Sequence, residues 1–374
     1  MSIDYLFTFQ KGRVEKLNQN DYSYEFFYSY DFIPDDKKDL YEIGELEINK
    51  FLNLFLSKFN YFVVKLTKLS INLKSTYSPV FKQKISNSNV VVATSYPSGL
   101  SIIFWKLLGI YKIKKIVVIN SGLFQEPNLY SFQKVLRNIF LNYFLKNISF
   151  LIFTSFTEYN FANNNYSRFK DKFICLEFSV DTKFWMNKVN EDKRPTKNIL
   201  FIGNNGYRDF SMLSKLPSCL PNFEFTYISS SNILLNSKHS NLTTVEGDWS
   251  KSLLTDRTIK DYYINADLTI LPITETLVSS GQSVALQSIA AGTPVLISSY
   301  TGFWNFEKFR DMENIYFCNE KDENNWSIKI KNILEDENVL KEVAAKGRKT
   351  VLNYYNKTIF DEKFLEILEN LKNK

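Results

Sequence analysis

The sequence predicts an α/β protein made of two doubly wound domains of parallel strands. Three observations lead there. Short apolar runs alternate with amphipathic stretches along the whole chain, which is the pattern of βαβ units. The length of 374 residues exceeds one such core and fits two. A polar run at 187–197 (NKVNEDKRPTK) parts the two halves as a linker. Hydrophobic residues make up 44% of the chain and charged residues 23%, a composition that supports packed cores and excludes general disorder.

In the first half, residues 5–9 (YLFTF) read as the opening strand, followed by a loop with Gly12. Residues 24–30 read as a second strand, with an acidic loop at 35–39 after it. Residues 40–75 read as helical and strongly apolar on one side, with Lys58, Lys65 and Lys68 on another. Such a helix either packs in the core with a solvated lysine face or lies on a membrane surface. Residues 89–94 (NVVVAT) and 115–120 (KIVVIN) read as parallel strands. The loops after their carboxyl ends, 95–99 and 121–126, are where an open α/β sheet binds ligands. Glu126 is the nearest ionisable group to the second loop. Residues 130–147 form another helix with a basic face, 150–154 (FLIFT) a strand, and 173–178 (FICLEF) the last strand of this half.

The second half opens on a strand at 198–202 (NILFI) and a glycine-bearing loop at 203–209 (GNNGYRD). Arg208 in that loop either holds phosphate oxygens or pairs with Asp209. Strands follow at 223–229 and 242–246, the latter leading into Gly247, Asp248 and Trp249. A helix at 259–266 runs into a buried strand at 267–273 (DLTILPI). The stretch 279–297 (SSGQSVALQSIAAGTPVLI) completes a βαβ unit: Ser279, Ser280 and Gly281 make a small turn, 282–291 a helix, Gly292 its stop, and 295–297 the next strand. A helix N-terminus there, at Ser280 to Ser283, suits a phosphate because its N–H groups and dipole both favour an anion. Residues 314–318 read as a strand, 326–334 as a helix, and 336–374 as two more helices.

Charge is unevenly placed. The chain carries +6 overall, yet residues 51–150 hold thirteen basic side chains and one acidic one. That half faces an anionic surface or substrate. No nucleic-acid-binding motif accompanies the charge, so an anionic membrane surface or a phosphate-linked acceptor fits better than nucleic acid. The single histidine, His239, lies in a polar Asn/Ser-rich segment, which argues against histidine-based triads and histidine-rich metal sites. Cys175, Cys219 and Cys318 are scattered, with neither a metal-ligand spacing nor a disulfide framework, which suits a reducing compartment. No apolar run is long enough to span a bilayer, and the first residues lack the pattern of a signal peptide; a cytoplasmic location is expected. The abundance of Phe, Tyr, Asn, Lys and Ile suggests an AT-rich, bacterial genome as much as any function.

The stretch 279–297 resembles the donor-site signature of the retaining, glycogen-synthase-like glycosyltransferases of GT-B fold. In that family a Glu-x7-Glu pair brackets the turn. Aligned on Gly292 to Val295, the second glutamate falls on Gln287 and the first on Ser279, so both carboxylates are absent here. Glu275, just upstream, is the nearest substitute. The run 179–185 (SVDTKFW) resembles the element closing the family's first domain, and the loop with Gly203, Asn204 and Arg208 resembles its diphosphate loop, which carries an arginine and a lysine. The resemblance covers residues 149–374, and the first 148 only by strand pattern.

It implies a GT-B architecture with two Rossmann-like domains facing a cleft. Residues 1–186 would form the acceptor side, 198–355 the nucleotide-sugar domain, and 356–374 a last helix packing back on the first domain. It implies a nucleotide-diphosphate sugar as substrate and a glycan or lipid-linked acceptor, with no cofactor and no metal. Arg208 and the N–H groups at 280–283 would hold the diphosphate, with Gln282 opening the helix. Gly247 and Asp248 would lie at the base, and Gln287 at the ribose hydroxyls. Retention is implied; were the reaction inverting, Glu126 is the candidate base. Two other readings stand: a GT-B-fold nucleotide-sugar epimerase, and a non-catalytic nucleotide-sugar or glycan-binding partner.

Overall fold

The computed structural model describes residues 3–44, 50–125, 128–187, 197–204, 206–248 and 253–373. Two compact units result. Unit 1 holds Met1–Leu17, Phe27–Glu177 and Phe360–Lys374; unit 2 holds Asn18–Phe26 and Phe178–Ile359.

Unit 1 is built on β1 (Ile3–Gln10), β2 (Lys38–Ile43), β3 (Ser88–Ala93), β4 (Lys115–Asn120), β5 (Phe150–Phe153) and β6 (Phe173–Cys175). These strands form a parallel sheet in the order β2-β1-β3-β4-β5-β6. The near-continuous apolar runs of β3 and β4 mark strands covered on both faces, and both are almost wholly buried. The end of the chain also belongs here. The helix Lys357–Asn373 is held to unit 1 by Asp361, whose Oδ1 accepts Ser29 Oγ at 2.7 Å, and by Lys372, whose Nζ reaches Asp4 at 2.6 Å.

Residues 24–30 do not form the expected second strand. They make 3-10 turns at Glu25–Phe27 and Tyr30–Phe32, and positive φ at Tyr28 (47°) and Ser29 (68°) breaks any extended run. The apolar rings there are still core: Phe27 lies edge-on to Phe9, 5.7 Å between centroids. The strand that pairs with β1 on that side is β2, with Phe7 opposite Leu40. Its sequence, KDLYEI, carries three charges because an edge strand needs few apolar positions; only Tyr41 and Ile43 are buried. The expected helix of 40–75 accordingly starts later, at Lys50–Thr67.

Unit 2 is built on β7 (Asn198–Ile202), β8 (Glu224–Ser229), β9 (Leu242–Glu246), β10 (Leu268–Leu271), β11 (Val295–Ser298) and β12 (Tyr316–Cys318), in the parallel order β12-β11-β10-β7-β8-β9. The chain starts at β7, winds outward to β9, returns to β10 and winds the other way. The reversal lies between β7 and β10. At such a point the two crossover helices diverge to opposite faces and leave a crevice beyond the strand ends.

The helix Gln282–Ala291 follows β10 and is nearly all buried. Gly292 ends it with φ of 104°, a left-handed conformation that favours glycine. The helix Glu337–Tyr354 crosses it at Gly347, where an added Cβ would stand 2.6 Å from the Asn314 carbonyl oxygen and 3.2 Å from Ile289. Replacing a helical glycine by alanine ordinarily stabilises by about 1 kcal/mol. Here the clash is with backbone and outweighs that gain. Gly347→Ala is expected to lose about 1–3 kcal/mol in chemical denaturation; equal or greater stability would show that the helices separate without cost.

Candidate functional site

The loop after β7 and the segment after β10 are stitched together at the reversal point. Asp209 N–H donates to the Pro272 carbonyl at 3.0 Å and Thr274 N–H to the Tyr207 carbonyl at 2.9 Å, with Arg208 opposite Ile273. This pairing fixes Arg208 beside the turn 279–281. Its Nη1 donates to Ser280 Oγ, and its Nη2 stands 3.7 Å from where a Gly281 Cβ would be. A Cβ on Gly203 would stand 2.7 Å from Arg208 Nε. The guanidinium therefore lies between two glycines, one from each side of the crevice, and needs Gly203 to have no side chain. Asp209 is occupied elsewhere: its carboxylate caps the helix Phe210–Cys219, accepting Met212 N–H at 2.9 Å.

Gly281 has φ of 87° and directly precedes the helix Gln282–Ala291. A helix leaves its first N–H groups without internal acceptors; of the expected seat at 280–283, however, Ser280 N–H turns back on the Val278 carbonyl at 2.6 Å and Gln282 N–H on the Ser279 carbonyl at 3.3 Å, so those two are used within the turn that Arg208 touches. Tyr300 holds the same turn from the other side, its phenol donating to the Ser280 carbonyl at 2.6 Å. Ser279, Ser280 and Gln282 are buried, and Ser283 is half-buried. Burial brings the Arg208 guanidinium down to about 10, with the Tyr300 and Tyr263 hydroxyls opposing it, so it is cationic at neutral pH. Burial raises the Tyr300 phenol well above its usual value, so it stays a neutral donor. A buried cation beside the positive end of a helix dipole is an arrangement suited to an anion with several oxygens.

A second cluster forms at the carboxyl ends of β7, β8 and β9. Asn204 Nδ2 donates to the Gly247 carbonyl, and Asn204 Oδ1 accepts Ser230 N–H at 2.7 Å. Gly247 N–H donates to the Ser229 carbonyl, and Ser229 Oγ donates to the Gly203 carbonyl at 2.7 Å. Gly203, Asn204 and Gly247 are thus brought together, with half-buried Asp248 next in the chain. Glu275 is exposed and accepts Thr301 N–H at 3.1 Å, next to the Tyr300 that braces the turn.

Gln287 is used internally. Its Nε2 donates to Glu25 Oε1 at 2.8 Å and its Oε1 accepts from the Tyr263 phenol at 3.3 Å. Glu25, from the strap Asn18–Phe26, is buried and also accepts Trp185 Nε1 at 2.9 Å and Asp181 N–H at 3.3 Å. Nothing in the sequence singled out Glu25, because it lies some 260 positions before Gln287 in a run read as a strand.

In unit 1, Glu126 lies outside the described residues. The loop before it rests on Glu158, a buried carboxylate that accepts Gly122 N–H at 2.9 Å and Phe124 N–H at 3.2 Å. Burial raises its proton affinity, and the Gly122 bond opposes the rise. Its place in an ordinary helix, Phe156–Asn165, gave the sequence reading no signal.

No protein-family model matches the chain, and no curated protein does. Solved structures do. A glycosyltransferase from Rickettsia africae superposes with a TM-score of 0.64 at 13% identity, over 99% of this chain and 98% of its own. Anabaena Alr3699/HepE, in complex with UDP-glucose, gives 0.68 at 9% identity over 98% and 100%. Sucrose-phosphate synthase from Thermosynechococcus elongatus gives 0.68 at 14% over 98% and 99%. The fold is GT-B. Identities this low speak for the fold alone, and the chemistry of the GT-B chain rests on its own residues.

Proposed function

We propose that this GT-B protein is a glycosyltransferase that moves a sugar from a nucleotide-diphosphate donor to a glycan or lipid-linked acceptor. The observation that carries this reading is the convergence of Arg208 with the N-terminus of the helix Gln282–Ala291 at the reversal point of the unit 2 sheet. Both are positive, and both are fixed at one turn before any ligand arrives. When the bond between the anomeric carbon and the diphosphate oxygen breaks, negative charge grows on the leaving phosphate. Preorganised donors at that place lower the barrier most. With a guanidinium and a helix terminus in that role, the reading needs neither a metal nor a cofactor.

The leaving phosphate can accept the proton of the attacking acceptor hydroxyl as the new glycosidic bond forms. That route gives retention and needs no histidine base. In this reading Asn204, Gly247 and Asp248 take the nucleoside. The setting we propose is bacterial cell-surface polysaccharide or glycoconjugate synthesis, in the cytoplasm at the inner face of the cell membrane.

One observation favours a second reading, binding without turnover. Ser279 and Gln287 stand where the family carries carboxylates, and Gln287 spends its amide on Glu25 and Tyr263. An assay with UDP-, GDP-, ADP- and CMP-sugars separates the readings. Because Anabaena HepE is seen with UDP-glucose, that donor is tested first. Release of nucleotide in step with a glycosylated acceptor marks a transferase, an isomerised sugar an epimerase, and saturable binding alone a partner. No binding by any donor would remove all three.

A further inference from the structure

The helix Lys50–Thr67 turns its apolar residues both ways. Leu56 and Val63 face the core. Phe51, Leu54, Phe55, Tyr61 and Phe62 recur at three- and four-residue spacing on the opposite face, and they are 57–80% exposed. At about 100° per residue they fall on one stripe, and Lys58 and Lys65, both exposed, fall on that stripe with them. The helix Ser131–Asn147 packs against this one, with Gln133 Nε2 donating to the Lys65 carbonyl at 3.2 Å and Arg137 Nη1 to the Thr67 carbonyl at 2.8 Å. It carries an exposed stripe of its own, Phe132, Val135 and Ile139, with Lys146 in line.

Exposed aromatic residues in this density mark an interaction surface. The charge decides what it meets. Residues 51–150 hold thirteen basic side chains and one acidic one. A second copy of the same stripe would bring like charges together, which is costly. A bilayer with anionic headgroups accepts both features at once: rings enter the headgroup–acyl boundary while ammonium groups on flexible stems stay level with the phosphates. No helix among the described residues is long and apolar enough to cross a membrane, so the surface would lie on the bilayer.

We propose that the outward stripe of Lys50–Thr67, continued by that of Ser131–Asn147, docks unit 1 on an anionic lipid surface. This gives residues to the membrane setting named above, but it stands on unit 1 alone. The test is flotation of the full chain with vesicles of phosphatidylglycerol and phosphatidylcholine against phosphatidylcholine alone. Flotation with the anionic vesicles at low salt, weakened by high salt, is expected. The double variant Phe55→Ser/Phe62→Ser should abolish it. Lys58→Glu/Lys65→Glu should reduce partitioning roughly thirty-fold or more, since each lysine near the surface counts for about a five-fold factor and reversal removes more than neutralisation. These side chains are exposed, so melting temperature and nucleotide binding should not change. Failure to float at low salt, flotation that both variants retain, or loss of a concentration-dependent oligomer in place of vesicle binding would each overturn the docking. Unchanged nucleotide binding in those experiments would leave the proposed activity standing.

Discussion

Gly203→Ala is expected to lower the affinity for UDP by about ten-fold or more without unfolding the protein. The effect is steric and electrostatic together. Gly203 does not need a left-handed backbone, so alanine brings no φ strain there. Its methyl group would lie 2.7 Å from Arg208 Nε and 3.3 Å from Phe201. The guanidinium, at the far end of a flexible side chain, is the group that gives way. Moving it off Ser280 removes a charged hydrogen-bonding group from the proposed diphosphate seat, on the order of 1.5–3 kcal/mol, and each 1.4 kcal/mol is a factor of ten. Arg208→Met, which keeps the bulk and loses the charge, should reproduce the loss in isothermal titration with UDP and with GDP. Gly281→Val tests the other wall. A branched side chain at φ of 87° is strained, and its Cβ would meet Leu271 and Ile273 at 3.5 and 3.6 Å, so this variant should disturb both the turn and sugar transfer. Unchanged UDP and GDP affinity in Gly203→Ala and Arg208→Met would take the guanidinium out of the site. Full transfer by Gly281→Val would show that the turn is not the anion seat.

Much of this site was readable in the chain because its parts obey local rules. A buried strand, a Gly-bearing turn, a short helix and a Gly-x-Pro stop predict the βαβ unit around Gly281 without tertiary information. The same rule placed β3, β4, β7 and β10, whose apolar runs stand against polar loops. What failed was non-local. The edge strand β2 is marked by charge and by pairing with β1, not by its own composition. The aromatic run 26–30 has the content of a strand, but Tyr28 and Ser29 take left-handed turns. The aromatic stripe of Lys50–Thr67 has the composition of a core helix, and only burial tells which face is inside. Glu25 and Glu158 are ordinary residues in sequence; each becomes distinctive only when distant backbone N–H groups or side chains close around it.

Glu25→Gln is expected to remove a pH dependence of stability worth about 3 kcal/mol. Burial is the main reason that the Glu25 carboxyl is raised from 4.5 to about 7, with the nearby Asp256 adding to the rise and the bond from Gln287 opposing it. Asp256 is fixed in that position because its Oδ2 accepts Ser23 N–H at 3.0 Å and Ser23 Oγ at 2.9 Å, two residues before Glu25. In the unfolded chain Glu25 releases its proton near 4.5, but in the fold it holds it to about 7. Between those values the folded state binds more protons, so stability falls as pH rises. The contribution is full below about 4.5, declines through the interval and is gone above about 7. At 1.36 kcal/mol per pH unit, titration moved from 4.5 to about 7 is worth about 3 kcal/mol. Glutamine has no proton to lose. Urea unfolding of the two proteins from pH 4.5 to 8 should therefore give curves that differ in slope, the native protein losing about 3 kcal/mol relative to the variant. Parallel curves would mean that Glu25 titrates normally. Glu25→Ala separates charge from hydrogen bonding, because it strands Trp185 Nε1 and Gln287 Nε2 together. Leaving buried donors without an acceptor costs about 1–3 kcal/mol for each, so this variant should be weaker than Glu25→Gln at every pH. The strap Asn18–Phe26 is thus held on unit 2 by a carboxylate that folding makes reluctant to ionise, and its grip should be firmest on the acid side of neutrality.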